Sequence, residues 1–149
     1  MQKKALLGQT LMLALEDFQR RVDADLKDRG IPGIRARHRA VFVHLNRHGA
    51  SRSVDLAAAA GIRPQSMMKT IHELEELGLV SRAPDPSDSR AKLIEFTRAG
   101  QAFIEELSRS TTTVWNDYAA SVGKAELEQC LATLECLNNA GRGEHTDDG

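Results

Sequence analysis

The 149-residue sequence predicts a mainly α-helical fold that carries one small β-hairpin. Three observations support this prediction. Long stretches place apolar residues three and four positions apart, as on one face of an amphipathic helix. In the middle of the chain a short helical pattern, a turn containing Gly61 and a second helical pattern follow one another. Two short strand-like stretches then flank the charged, proline-containing segment RAPDPSDSRAK.

The first two helices are predicted from apolar periodicity. Over residues 7–26 apolar side chains recur at intervals of three and four, and the segment GIPG that follows residue 29 ends the pattern. A second helix is expected from about residue 35, because Ile34, Val41 and Leu45 follow helical spacing, and Gly49 is expected to end it after residue 48. Both helices are therefore expected to bury one apolar face.

The middle of the chain predicts two helices joined by a tight turn. Ser53 is expected to cap VDLAAAA, and Gly61 suits the left-handed conformation just past the end of that helix. Pro64 suits the first position of the next helix, where its missing N–H is not needed. That helix is expected to bury Met67, Ile71 and Leu74. The order is that of a helix-turn-helix, whose second helix enters the major groove of DNA.

The strand-like stretches LVSR and AKLIEF predict a hairpin, with Asp85-Pro86 at the start of its turn. Thr97 is expected to cap a long helix, and a last helix is predicted over about 124–140. The polar, glycine-rich tail over 141–149 is expected to be disordered. The predicted fold class is therefore mainly α with a small β-hairpin wing, a winged helix-turn-helix flanked by N- and C-terminal helices.

Composition and charge narrow the function. The chain is 41% hydrophobic and 28% charged, which is typical of a soluble globular protein. No stretch approaches the roughly 18 apolar residues of a membrane span, so we expect no membrane association and a cytoplasmic location. Residues 35–98 carry eleven basic and seven acidic side chains, a net +4, whereas residues 99–149 carry a net −6. A basic middle on an acidic scaffold favours polyanion binding.

Enzymatic chemistry and bound cofactors are not expected. The sequence has no nucleophile-elbow, P-loop or dinucleotide-binding motif. His72, Glu75 and Glu76 share one helix face, and so do His44 and His48. Because no further strong ligand lies nearby in sequence, no metal site is predicted. Cys130 and Cys136, six residues apart in one helical pattern, fit neither a disulfide framework nor a C-x-x-C site and are interpreted as packing residues.

Two segments resemble the MarR family of bacterial transcription regulators. They are LAAAAGIRPQSMMKTIHELEELGLVSR (56–82) and DPSDSRAKLIEFTRAG (85–100), the second of which is close to the family's wing motif of D-x-R, a strand and T-x-x-G. The resemblance implies a DNA-binding lobe over 35–98 and dimerisation helices over 1–34 and 99–140. A homodimer would bind double-stranded DNA at a pseudo-palindromic operator.

The resemblance also implies roles for individual residues. Arg90 matches the wing arginine that enters the minor groove, and Asp88 matches the acidic residue that orients it. Many members release DNA when a small aromatic effector binds near the dimerisation helices, which implies a repressor with candidate effector residues Phe18, Arg21, His38 and Phe42. The implied DNA-contacting residues are Pro64, Gln65, Ser66, Met68, Lys69, His72, Arg90 and Lys92.

Some alternatives stay open at this point. Glu73, Glu75 and Glu76 must face away from phosphate if their helix binds DNA. If they instead engage a basic partner, the chain is a winged-helix protein-interaction module without specific DNA binding. A separate alternative is that the apolar stripes of the terminal helices complete a monomer core rather than a dimer interface. Residues of the effector candidates' types are more often core residues or solvated charges than ligand contacts.

Overall fold

The computed structural model describes residues 3–141, which form a mainly helical structure with a small antiparallel sheet. This architecture confirms the predicted winged helix-turn-helix. Within the described residues no helix has the length and apolar character needed to cross a membrane. The tail predicted to be disordered lies outside the described residues, apart from Gly141.

After a 3₁₀ helix (Lys3–Leu6) the elements are α1 (Leu7–Asp28), α2 (Ala36–His48), β1 (Ser51–Arg52), α3 (Ser53–Ala60), α4 (Pro64–Glu76), β2 (Val80–Asp85), β3 (Asp88–Phe96), α5 (Arg98–Val122) and α6 (Lys124–Ala140).

The chain divides into two compact units. Met1–Val22 and Ser110–Gly149 form the first unit, and Asp23–Arg109 forms the second. The winged helix-turn-helix lies wholly in the second unit. The boundaries after residues 34 and 98 that the sequence suggests for the DNA-binding lobe stay a prediction.

The core of the second unit consists of the apolar faces that the periodicity predicts. Phe42 packs against Phe96 and Phe103, with ring centroids 5.2 and 5.4 Å apart. These separations suit favourable aromatic pairs, so Phe42 ties α2 both to the sheet and to the start of α5. The buried apolar side chains from α2 and α4 are Val41, Phe42, Leu45, Met67, Ile71 and Leu74.

The turn between α3 and α4 follows the prediction, but the start of α3 does not. Gly61 adopts the left-handed conformation (φ 66°, ψ 29°), and Pro64 is the first residue of α4. The prediction that Ser53 caps α3 is wrong, because the helix begins at Ser53 and Arg52 takes the N-cap position without a side-chain cap. Arg52 belongs to β1, and pairing with Leu93 of β3 holds its backbone extended up to the first helical residue.

The sheet has three strands rather than the two of the predicted hairpin. Its order is β1-β3-β2, with both pairs antiparallel, and β1 is only two residues long. A two-residue strand shows no periodicity, so sequence patterning does not detect it. The wing strands are longer than predicted and pair from Val80 opposite Phe96 to Pro84 opposite Lys92. Pro86 and Ser87 connect them.

Thr97 joins the wing to α5 and confirms the predicted cap. Its backbone N–H donates to the Leu79 carbonyl (3.1 Å), and its hydroxyl donates to the Gly78 carbonyl. The same hydroxyl oxygen accepts a hydrogen bond from the backbone N–H of Gly100 (3.0 Å). Gly100 is buried directly against the Leu79 carbonyl. The T-x-x-G segment therefore fixes where α5 begins relative to β2.

The first unit leaves much apolar surface uncovered. Val22 and Val114 are buried, but none of the residues of α6 is. Cys130 and Cys136 are exposed free thiols, so their interpretation as packing residues is wrong for this chain by itself. The large exposed apolar side chains of this unit are Leu6, Leu7, Leu11, Met12, Leu13, Leu15, Val122, Leu131 and Leu137.

Candidate nucleic-acid interface

The second helix of the helix-turn-helix, α4, presents a polar face to solvent. Its opposite face buries Met67, Thr70, Ile71 and Leu74, because these residues recur at helical spacing. Thr70 is the polar member of this set, and its hydroxyl donates to the Ser66 carbonyl (3.1 Å). The predicted DNA-contacting residues of this helix are all exposed, namely Pro64, Gln65, Ser66, Met68, Lys69 and His72.

The start of α4 has the features of an anion site at a helix N-terminus. Pro64 occupies the first position, and the preceding residue, Arg63, makes no side-chain cap. The first N–H groups of a helix have no partner within the helix and carry the positive end of its dipole. A phosphate placed at this end would accept hydrogen bonds from these N–H groups.

The acidic end of α4 is neutralised from neighbouring elements. Arg37 of α2 donates to both carboxylate oxygens of Glu73, from Nε at 2.7 Å and from Nη2 at 3.0 Å. These hydrogen bonds, with a further one from His38, lower the pKa of Glu73 to about 2. Arg82 of β2 donates to Glu75 at 2.7 Å. Two of the three glutamates that made DNA binding by this helix questionable therefore have their charge compensated inside the unit.

Glu76 differs from these two glutamates. Its side chain is 72% exposed, and its Oε1 lies 3.9 Å from Nε2 of His72, beyond hydrogen-bonding distance. His72 is one of the predicted DNA-contacting residues. Glu76 therefore keeps an exposed negative charge beside the predicted interface.

The wing carries Arg90 and Lys92, both exposed, on β3. Asp88 accepts a hydrogen bond from the backbone N–H of Arg90 at 2.9 Å. The sequence led us to expect that Asp88 orients the arginine, and this contact acts on its backbone. Asp88 thus shapes the tip from which the Arg90 guanidinium extends.

Arg52 of β1 contacts the wing through Asp85, the last residue of β2. Arg52 donates to Asp85 from Nε at 2.7 Å, and its Nη2 lies 2.6 Å from the same carboxylate. Asp85 is buried and also accepts from the backbone N–H (2.9 Å) and the hydroxyl (2.7 Å) of Ser87. Hydrogen bonds from Ser87 and Arg52 lower the pKa of Asp85. Sequence reasoning missed Arg52 because its partner is 33 residues away and its strand is too short to recognise.

The candidate effector residues belong to different units. In the second unit His38 and Phe42 are both buried, Phe42 among aromatic rings and His38 against Glu73. The structure thus gives these two residues packing and hydrogen-bonding roles. In the first unit Arg21 donates to Asp17 (2.7 Å) and lies over the Tyr118 ring, 5.2 Å from its centroid.

Phe18 lies in the same cluster of the first unit. Its ring centroid is 6.3 Å from that of Tyr118, whose hydroxyl donates to Asp17 at 2.7 Å. The hydrogen bonds from Tyr118 and then Arg21 lower the pKa of Asp17 to about 2. Phe18 and Arg21 therefore sit beside a phenol and a carboxylate in a partly exposed polar and aromatic cluster.

Comparison with known proteins finds a likeness for the lobe that carries the predicted DNA-contacting residues. The model of the MarR family matches residues 30–91, which include α2, α3, α4, β2 and the wing tip with Arg90. Over these residues the chain is similar to the MarR family. A solved protein of that family, from Rhodococcus sp. RHA1, is described as a transcriptional regulator.

Solved structures of transcription regulators extend the likeness to most of the chain. A MarR-family regulator from Rhodococcus sp. RHA1 is 24% identical with a TM-score of 0.70, over 92% of this chain and 95% of that chain. BpsR from Bordetella bronchiseptica, whose DNA binding is regulated by 6-hydroxynicotinic acid, is 21% identical with a TM-score of 0.69, over 93% and 96%. CouR from Rhodococcus jostii RHA1, solved with p-coumaroyl-CoA, is 26% identical with a TM-score of 0.66, over 88% and 90%.

Proposed function

We propose that this chain is a dimeric, sequence-specific DNA-binding regulator that represses transcription until a small-molecule effector releases it. The observation that carries the proposal is the pairing of an exposed polar face on α4 with an exposed basic wing in one compact unit. A helix fits the major groove, and an arginine on a narrow tip fits the minor groove beside it. The compensation of Glu73 and Glu75 removes the main electrostatic objection.

Each exposed side chain of α4 suits a particular contact. Gln65 can donate to and accept from one adenine, and Lys69 can reach guanine or a phosphate. Met68 is apolar and exposed, as a contact with a thymine methyl group requires. Pro64, Ser66 and His72 complete the groove-facing surface.

The wing supplies contacts of another kind. Arg90 is assigned to the minor groove, where a narrow groove deepens the negative potential that attracts a guanidinium. Lys92 is assigned to the adjoining phosphates, and Asp88 to the backbone shape of the tip. Contacts to phosphate set register and affinity, whereas contacts to base edges set sequence preference.

A homodimer accounts for the exposed apolar surface of the first unit. Leu7, Leu11, Leu13 and Leu15 of α1 and Leu131 and Leu137 of α6 are exposed, and exposed apolar residues concentrated on a few helices are typical of an interaction site. A second copy of the chain would cover it through an isologous, two-fold contact. Two-fold symmetry then sets two half-sites about one helical turn apart, at roughly 10 base pairs, in a pseudo-palindromic operator.

Effector release is proposed by analogy with BpsR and CouR, which are described with 6-hydroxynicotinic acid and p-coumaroyl-CoA. Both compounds are aromatic and carry an anionic group. Phe18 and Arg21 offer an aromatic ring and a guanidinium, the two groups that such a compound would use. His38 and Phe42, which are buried and already partnered, are the weaker candidates of the four.

Fluorescence anisotropy tests the proposed function. The full chain is titrated against a labelled duplex from upstream of its own gene and against a scrambled duplex, at two salt concentrations. We expect tighter binding to the first duplex and a steep loss of affinity with salt, with a slope of roughly −0.9 for each phosphate contacted. Absence of binding to both duplexes at low salt would overturn the proposal and favour the protein-interaction module.

A further inference from the structure

We propose that Glu73 is a positioning residue that fixes the rotation of α4 against α2 and thereby sets which bases α4 reads. The proposal rests on the proposed DNA-binding function and assigns to Glu73 a role that requires no contact with DNA. Two side chains of α2, those of Arg37 and His38, contact this carboxylate, and the His38 ring also binds the backbone of Arg35, the N-cap of α2.

The carboxylate of Glu73 is held at both oxygens. Oε1 accepts from Nη2 of Arg37 at 3.0 Å, and Oε2 accepts from Nε of Arg37 at 2.7 Å. Oε2 also accepts from Nε2 of His38 at 2.8 Å. A planar guanidinium that donates twice to one carboxylate fixes direction as well as distance, which a single point charge does not. The Glu73 side chain is thus fixed relative to two consecutive residues of α2.

His38 is fixed from its other side. Its side chain is only 5% exposed, and its Nδ1 accepts a hydrogen bond from the backbone N–H of Arg35, the N-cap of α2, at 3.3 Å. An Nδ1 that accepts requires the ring proton to be on Nε2, which is the nitrogen that donates to Glu73. A continuous set of hydrogen bonds therefore runs from the N-cap backbone of α2 to the side chain of Glu73.

The hydrogen bonds to Glu73 affect the exposed face of α4 because of where Glu73 lies on that helix. Glu73 directly follows His72 and comes four residues after Lys69, both of which lie on the exposed face. Side-chain tips lie about 5–6 Å from a helix axis, so a rotation of about 10° moves them by about 1 Å. A displacement of that size is enough to weaken a bidentate contact with a base edge. Loss of the hydrogen bonds between Glu73, Arg37 and His38 would therefore reduce the preference for the operator sequence more than the overall affinity for DNA.

Glu73→Gln gives different results if Glu73 acts only through its charge and if it positions α4. Removing a negative charge from a DNA-binding helix should strengthen binding to every duplex, because it reduces repulsion from phosphate. Glu76→Gln is the matched control, since Glu76 lies on the same helix and has no hydrogen-bond partner within range in the part of the chain that the structure describes. We expect Glu76→Gln to tighten binding to operator and scrambled duplexes alike. Glu73→Gln should instead lower the operator-to-scrambled affinity ratio by about tenfold, as when one base contact is misplaced.

A second variant separates position from charge completely. Arg37→Lys keeps the net charge and an ion pair but removes the two-pronged donation to Glu73. It should lower the affinity ratio in the same direction as Glu73→Gln. If both variants keep the wild-type ratio, or if Glu73→Gln merely tightens both duplexes as Glu76→Gln does, the positioning role is overturned.

Amide hydrogen exchange on the free protein keeps this test independent of DNA binding. Exchange over residues 64–76 should be faster in Glu73→Gln and Arg37→Lys than in Glu76→Gln, at a temperature where circular dichroism shows all three variants folded. If the wild type shows no sequence preference, the proposed function fails while the exchange data still decide whether Glu73 holds α4. Equal exchange in the three variants would overturn the role of Glu73 whatever the DNA result.

Discussion

Gly100→Ala tests the joint between the wing and α5. A Cβ at this position would lie 3.0 Å from the Leu79 carbonyl carbon, closer still to its oxygen, and 3.2 Å from Cδ1 of Phe96. The Leu79 carbonyl accepts a hydrogen bond from the backbone N–H of Thr97. It therefore cannot move away from a new Cβ without disturbing that bond. Overpacking of this kind costs about 1–3 kcal/mol, and contact with backbone rather than a flexible side chain favours the upper end.

Thermal unfolding followed by circular dichroism measures this cost. For a chain of this length each kcal/mol lowers Tm by roughly 2–4 °C, so about 3 kcal/mol corresponds to a drop of about 6–12 °C. Gly8→Ala is the matched control, because Gly8 lies in α1 with no atom within 4 Å of a built Cβ, and its Tm should be unchanged or slightly higher. An unchanged Tm for Gly100→Ala would refute the argument that the T-x-x-G segment is closely packed.

Three further predictions concern DNA binding, assembly and pH. Arg90→Ala should weaken operator binding and leave circular dichroism unchanged, whereas Lys124→Ala, which removes one positive charge on α6, should leave the affinity at the wild-type value in anisotropy titrations. Leu131→Glu places a charge on the exposed apolar face of α6, so sedimentation equilibrium should show more monomer than in the wild type. The lowered pKa of Asp17 contributes stability that is present above about pH 4 and is lost as pH falls towards 2. Since Tyr118 is the largest cause of that shift, Tyr118→Phe should lower Tm at neutral pH, and the difference from wild type should shrink over this acidic window.

The sequence was sufficient for the features that depend on local pattern. Helical periodicity placed Met67, Ile71 and Leu74 in the core, and the special conformations of Gly61 and Pro64 marked the helix-turn-helix correctly. These signals are local, because each depends on residues within one or two turns of the chain.

Features that depend on distant partners escaped prediction. Ser53 has the residue type of a helix cap, but β1 holds the extended backbone through Arg52 and moves the helix start by one residue. The Arg52–Asp85 pair joins residues 33 positions apart, and His38 meets Glu73 across 35 positions. Propensity and spacing carry no information about such pairs, since the fold alone brings them together.

The charges of the lobe show how a helix with an acidic end can still face DNA. The net +4 of residues 35–98 is a property of the sequence, but its distribution is a property of the fold. Arg37, Arg52 and Arg82 pair with Glu73, Asp85 and Glu75, so three of the acidic groups of the wing and α4 are offset, whereas Glu76 stays exposed. Basic side chains outside these pairs, such as Lys69 and Arg90, then determine the potential that a duplex would meet. In the proposed function, these internal ion pairs would act on DNA recognition indirectly, by offsetting negative charge and by fixing the elements that carry the exposed positive groups.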